Sequence, residues 1–450
     1  MSLFGTDGIR GVANREPMTS ETITRLGRAL AFVARKSSTH PTILIGKDTR
    51  LSGYMIETAL ASGICSMGVD VFLVGPLPTS GISWLTQKKR VTRGVAITAS
   101  HNSYRDNGIK IFNEKGQKIS KEEEELLSRL VLERHLDSLR PIEDNVGKAT
   151  RVDAAVDRYI DYLAEAFPSI LDLKGMTIVV DCAHGASYQV APRVFDRLGA
   201  RVIPLGIFPS GTNINEGCGS EHPELLRETV LGVKADLGVA FDGDADRCVV
   251  VDDEGCLLDG DHLMALLASA FLKKDQLKKK TVVLTEMSNS ALIHFLKAEG
   301  IQTKKVSIGD QNVSAALYEE GLSMGGEQSG HILFSDCSAT VDGVLTALQV
   351  IAVVRETGIR LHQLAHLFKP WPQLLKNIPV REKVPLENFP SLLATVERLQ
   401  NDFQGTGRIL LRYSGTEPKL RIMIESKNPE KMEGALQVLE KEIQKTIFQA

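Results

Sequence analysis

No apolar run in the 450-residue chain reaches the roughly 20 residues needed to cross a bilayer; the longest, around Leu263 to Leu272 and Val344 to Val354, read as core helices. The cysteines (Cys65, Cys182, Cys218, Cys248, Cys256, Cys337) stand singly, without the paired spacing of a zinc or redox motif, so reduced, buried thiols are expected. Charge of neither sign dominates. The formal net charge is −3, so no broad field exists to condense on nucleic acid or an anionic membrane, and neither partner is expected. A G-x-x-x-x-G-K-[ST] loop is absent, which removes a nucleoside triphosphate as the expected donor. No G-x-G-x-x-G follows a strand, which removes support for nicotinamide chemistry, and the G-x-S-x-G elbow of hydrolases is missing. The opening MSLFGTDGIRG has no apolar core behind a basic start, and a cytoplasmic protein is the expectation.

What is present is ordinary globular composition, 43% hydrophobic and 24% charged, in a chain too long for one hydrophobic core. Short β-branched runs alternate with amphipathic segments: TILIGKD, SGYMIETALASGICSMG, VDVFLVG, TSGISWLTQKK, RGVAITAS. Such alternation predicts parallel strands with helical crossovers. The rhythm restarts at MTIVVDCAHG and again at LDGDHLMALLASAFLKK, which suggests a structural repeat of faint sequence similarity. From about Pro370 it changes to strand, helix, two strands joined by GTEPK, and a last helix. The expected fold class is therefore α/β: three successive mixed or parallel-sheet domains (1–145, 146–246, 247–366) and a smaller α+β domain (367–450).

Four segments carry chemistry. FDGDADR places Asp242, Asp244 and Asp246 at alternate positions in a tight loop between two strands, a cluster that repels itself unless a hard cation such as Mg²⁺ neutralises it. An EF-hand is excluded because Arg247 stands where the turn glycine belongs; a solvated acidic turn is the bland alternative. Ser100, beside His101 just past the strand RGVAIT, is the nucleophile candidate. A phosphorylated serine needs cations around it, and Arg10, Lys47, Arg50 and Lys110 all lie in glycine-rich loops. GGEQSGH groups Glu327, Ser329 and His331 between glycines in a pattern suited to sugar hydroxyls, and Arg247 is counted with these substrate-binding candidates. In RYSGTEPKLR, Arg412 and Arg421 can grip a phosphate as a fork, with Ser414, Gly415 and Thr416 adding amides and hydroxyls. Two anion sites with one nucleophile suit a substrate phosphorylated at both ends better than they suit a phosphatase or a non-catalytic sensor.

TASHN, DGDADR, GEQSGH and RYSGTEP, in that order, resemble the α-D-phosphohexomutase superfamily over nearly the whole chain. FGTDGIRG, Ala245 and Gln328 are similar to its amino-sugar branch. The resemblance implies four domains around a central cleft and a phosphoserine at Ser100. It implies one Mg²⁺ per chain on Ser100, Asp242, Asp244 and Asp246, and a sugar 1,6-bisphosphate as intermediate and activator. Arg10, His101 and Lys110 would surround the phosphoserine and assist proton transfer; Glu327 and Ser329 would hold sugar hydroxyls, and Arg412, Ser414, Gly415 and Thr416 the distal phosphate. The implied reaction interconverts glucosamine 6-phosphate and glucosamine 1-phosphate for UDP-N-acetylglucosamine and cell-wall synthesis, in a monomer or homodimer. Phosphomannomutase or phosphoglucomutase activity is the nearest alternative. Ser103 departs from the usual proline, Gln311 and Asn312 from the usual Arg-Tyr, and Tyr413 varies.

Overall fold

A computed structural model describes residues 3–5, 7–133, 135–413 and 418–448. It divides into two compact units, one of residues 1–287 and 296–367, the other of 288–295 and 368–450.

The first unit contains three sheets. Strands β1 (Ile9–Val12), β2 (Thr42–Lys47), β3 (Asp70–Pro76), β4 (Arg93–Ile97), β5 (Asp106–Phe112) and β6 (Ala149–Arg151) form one sheet in the order β1-β5-β4-β2-β3-β6. Strands β7 (Thr177–Asp181), β8 (Arg201–Leu205), β9 (Leu237–Phe241), β10 (Cys248–Asp252) and β11 (Leu257–Leu258) form the second, β11-β10-β9-β7-β8. The third, of β12 (Thr281–Thr285), β13 (Gln302–Val306), β14 (Met324–Gly326) and β15 (Ile332–Phe334), runs β13-β12-β14-β15. The sheets overlap the expected boundaries, since β6 joins the first sheet and β10 and β11 the second.

One topology recurs in all three. The strands β5-β4-β2-β3, β10-β9-β7-β8 and β15-β14-β12-β13 each have three parallel members and one antiparallel edge partner. The central parallel strands are buried because helices cover both faces, with β4, β9 and β12 buried along their whole length, whereas the outer strands β8 and β13 are partly exposed. The antiparallel partner turns straight back from the carboxyl end of a central strand, so each repeat carries a short loop there: residues 98–105, 242–247 and 327–331. All three loops hold motifs singled out by sequence.

Local signals explain the helices. Thr19 caps the helix Ser20–Ser37, its hydroxyl accepting from the Thr22 amide, and Ile23, Leu26, Leu30 and Val33 bury one stripe. That helix lies so close to Ser52–Cys65 that a Cβ on Gly63 would sit 2.2 Å from the Thr24 carbonyl oxygen. In the second unit, β16 (Gln373–Pro379), β17 (Gly407–Tyr413) and β18 (Lys419–Ser426) make an antiparallel sheet, β16-β18-β17. The stretch 288–295 belongs to this unit, where the Ser290 amide donates to Glu425 Oε1 at 2.9 Å.

Candidate active site

The first loop is built around a buried cation. Arg50 is fully buried; its Nε donates to Asp48 Oδ2 at 2.8 Å, and its other nitrogens donate to the carbonyls of Ser100 and Asn102, each at 2.8 Å, of Asp106 at 3.1 Å, and of Ser103. Ser100 sits at φ +51°, a left-handed conformation that costs a non-glycine residue about 1–2 kcal/mol. Clamps hold it there: the Ser100 amide donates to Thr98 Oγ1 at 2.9 Å, and Asn215 Nδ2 donates to the Ser100 carbonyl at 2.9 Å. The expectation that Lys47 and Arg50 serve an anion is corrected: Arg50 spends its donors on carbonyls, and Lys47 Nζ is buried against Glu57 Oε2 at 2.6 Å.

The second loop meets the first directly. Gly243 allows the approach, since a Cβ there would lie 2.6 Å from the Ser100 carbonyl oxygen. The Ser100 hydroxyl donates to Asp242 Oδ2 at 2.5 Å. Asp242, Asp244 and Asp246 are each 1% exposed, with carboxylate oxygens within 4.8 Å of one another. Lys110, on β5, reaches Asp246 at 2.7 Å, Asp244 at 3.0 Å and Asp7 at 3.3 Å. His331, from the third loop, bonds Asp246 Oδ1 at 2.9 Å through Nε2 and Glu327 Oε2 at 2.8 Å through Nδ1. Arg247 pairs with Glu221 at 2.6 Å.

Three buried carboxylates in one turn are costly. Burial and the charges of Asp246 and Asp244 push the Asp242 carboxyl up to about 8. Against burial, Lys110 and His331 hold Asp246 well below the usual range, and Asp246 and Glu327 raise His331 to about 10. Asp244 Oδ1 is buried without a hydrogen-bond partner among the described residues. Beside Lys110 and His331 the three carboxylates offer hard oxygen ligands, and Asp244 Oδ1 has no donor among the described residues, so the residues fit a divalent cation such as Mg²⁺.

Phosphoglucomutase/phosphomannomutase models match residues 1–136 (α/β/α domain I), 157–255 (α/β/α domain II), 259–371 (α/β/α domain III) and 375–441 (C-terminal domain). The phosphoglucosamine mutase of Geobacter metallireducens is 50% identical over 432 residues, 96% of each chain. That of Geotalea uraniireducens is 48% identical over 445 residues, 99% of this chain and 98% of the relative. The chain belongs to the phosphoglucosamine mutase family of the phosphohexomutase superfamily. The fold is shared with a phosphoglucomutase/phosphomannomutase family protein of Burkholderia thailandensis, with TM-score 0.81 at 22% identity, covering 99% of this chain and 97% of that one. It is shared also with Aspergillus fumigatus N-acetylphosphoglucosamine mutase, solved with GlcNAc-6P and magnesium, with TM-score 0.68 at 18% identity and coverage of 99% and 95%.

In this phosphohexomutase the structure gathers Ser100, His101, Arg10, Lys110, the three aspartates, Arg247, Glu327, Ser329 and His331 through the contacts of three loops and β1 and β5. His101 Nδ1 lies 3.4 Å from Ser100 Oγ, and Ser329 Oγ lies 3.4 Å from His331 Nδ1. Arg412 and Arg421 occupy directly opposite positions on β17 and β18 in the second unit. Ser414, Gly415 and Thr416 lie outside the described residues. Gln311 and Asn312, the departures from the family pattern, line a cavity of about 350 Å³ with Phe4, Gly5 and Lys121. Sequence reasoning missed Asp7, which receives Arg10 at 2.5 Å and Lys118 at 2.5 Å, and Thr79, whose hydroxyl donates to Asp244 Oδ2 at 2.6 Å. Asp7 lies inside FGTDGIRG and was within reach; Thr79 and Lys118 carry no local signal. Cys256 and Cys337 are exposed, so the expectation of uniformly buried thiols is corrected.

Proposed function

We propose that the chain interconverts glucosamine 6-phosphate and glucosamine 1-phosphate, with Ser100 as the phosphorylated nucleophile and a sugar 1,6-bisphosphate as intermediate. The reading rests on one observation above all: the Ser100 hydroxyl and the Asp242 carboxylate are in hydrogen-bond contact although their loops are far apart in the chain. Asp242, Asp244 and Asp246, with Ser100, would hold one Mg²⁺, which when bound supplies positive charge against the phosphoryl oxygens.

The chain's own groups do the rest. Phosphoserine transfers its phosphoryl group to the free sugar hydroxyl: the serine oxygen–phosphorus bond breaks, the sugar oxygen–phosphorus bond forms, and the hydroxyl proton passes by way of His101 to the departing serine oxygen. Burial, Arg247 and Arg10 depress His101 to about 3, so its imidazole is neutral and carries a lone pair beside the reacting oxygen. Lys110, kept charged by Asp244 and Asp246 despite its burial, acts as a fixed cation that offsets the phosphoryl charge. Arg10 Nε is buried without a partner among the described residues, a donor suited to a phosphoryl oxygen. The bisphosphate turns over and returns its other phosphate to Ser100, so the net change is isomerisation. Glu327, Ser329, His331 and Arg247 would hold sugar hydroxyls, and Arg412, Ser414, Gly415, Thr416 and Arg421 the distal phosphate.

Ser100→Ala tests this: turnover of glucosamine 6-phosphate should vanish while its binding by calorimetry persists. A variant with normal turnover would refute the assignment. Rates on glucosamine, glucose and mannose phosphates test the sugar separately, and faster turnover of mannose phosphate would overturn that part alone.

A further inference from the structure

Away from the catalytic loops, a second set of potential ligands converges. Asp252 ends β10, Cys256 lies in the turn before β11, and His366 follows the helix Leu361–Ala365. A carboxylate oxygen, a thiol sulfur and an imidazole nitrogen from these three lie within 4.8 Å of one another. Cys256 and His366 are remote in the chain, which is why cysteine spacing gave no sign of it.

The surroundings fix this geometry. Asp252 Oδ1 accepts from the amides of Glu254 at 2.9 Å and Cys256 at 2.8 Å, which shapes the turn. Asp253 accepts from the His362 amide at 3.2 Å and from its Nδ1 at 2.9 Å, which docks the helix on that turn. Asp252 is 0% exposed, yet its other oxygen, Oδ2, has no hydrogen-bond partner among the described residues. A buried carboxylate oxygen without a donor is costly unless a cation takes its place.

We propose that Asp252, Cys256 and His366 form a zinc site separate from the catalytic centre, with water completing a tetrahedron. Thiolate and imidazole select Zn²⁺ over Mg²⁺. Zinc bonds of ~2.0–2.3 Å place tetrahedral ligands roughly 3.4 Å apart, and Cys256 and His366, at the surface, can turn inward to close that gap around the fixed Asp252. Binding releases the Cys256 thiol proton. The metal would clamp the last residues before the chain leaves the first unit at Phe368.

The test uses the full chain, saturated with Mg²⁺ to occupy the aspartate trio, then titrated with Co²⁺ as a spectroscopic probe. A thiolate-to-cobalt charge-transfer band should rise to one equivalent and be displaced by Zn²⁺. Cys256→Ser should abolish the band, His366→Ala should weaken binding at least about tenfold, and Cys337→Ser should leave it intact. Zn²⁺ should also slow alkylation of Cys256, but not of Cys337, at least tenfold. Cys256→Ser should retain mutase turnover, which separates this site from the reading of the catalytic centre. No band in the wild-type chain, a band surviving Cys256→Ser, or unchanged affinity in His366→Ala would overturn the proposal.

Discussion

Arg50→Met should damage both stability and turnover, although Arg50 touches no reacting atom. The substitution keeps the aliphatic stem but removes the partner of Asp48 and the donors to four carbonyls of the Ser100 loop and the start of β5. Those bonds are not additive, so the better guide is the cost of breaking one buried ion pair, about 3–5 kcal/mol. For a cooperative unit the size of one α/β domain, this is a fall in Tm on the order of 10 °C. Ser100 also loses a clamp on its left-handed backbone, and a shift of about 1 Å in a reacting oxygen lowers kcat roughly hundredfold. Differential scanning calorimetry and steady-state kinetics read both effects. Adding Asp48→Asn should recover at least about 1 kcal/mol of the expected sum, because the stranded charge is gone. A single variant that melts within about 2 °C of wild type and turns over normally would refute the scaffold role.

Gly243→Ala should cost at least tenfold in kcat and about 1–3 kcal/mol in stability, since its Cβ would press on the Ser100 carbonyl 2.6 Å away; normal turnover would show the loops meet differently. Asp244→Ala should weaken Mg²⁺ binding at least tenfold by calorimetry, and undiminished affinity would remove Asp244 from the ligand set. His101 titrates near 3 when folded and near 6.5 when unfolded, so the unfolded chain binds the extra proton between those values and stability falls as pH drops through that window. From pH 7.5 to 5.5 this is worth about 1 kcal/mol, and His101→Gln should lose correspondingly less Tm over that range. Equal slopes for the two proteins would contradict a neutral His101.

The periodic runs of the chain name its strands and helices, because a parallel strand covered on both faces must be apolar throughout and its crossover helix must be amphipathic. They also expose the chemistry of the loops: alternating aspartates, a serine beside histidine, and polar groups between glycines are local patterns that survive without coordinates. Local pattern does not extend to partnership. Arg50 and Lys47 look like phosphate ligands in sequence, yet each is consumed by a buried acid, since a cation removed from water takes the nearest carboxylate or carbonyl that packing offers. Lys118 reaches Asp7 and Asp310 from distant segments, and Cys256 lies within 4.8 Å of His366 across several elements, with nothing in either neighbourhood to announce it. The sequence by itself determined the elements and the functional groups at their ends. Only the tertiary structure decided which of those groups meet, because three like-folded sheets bring loops into contact by packing apolar faces that carry no record of their eventual neighbours.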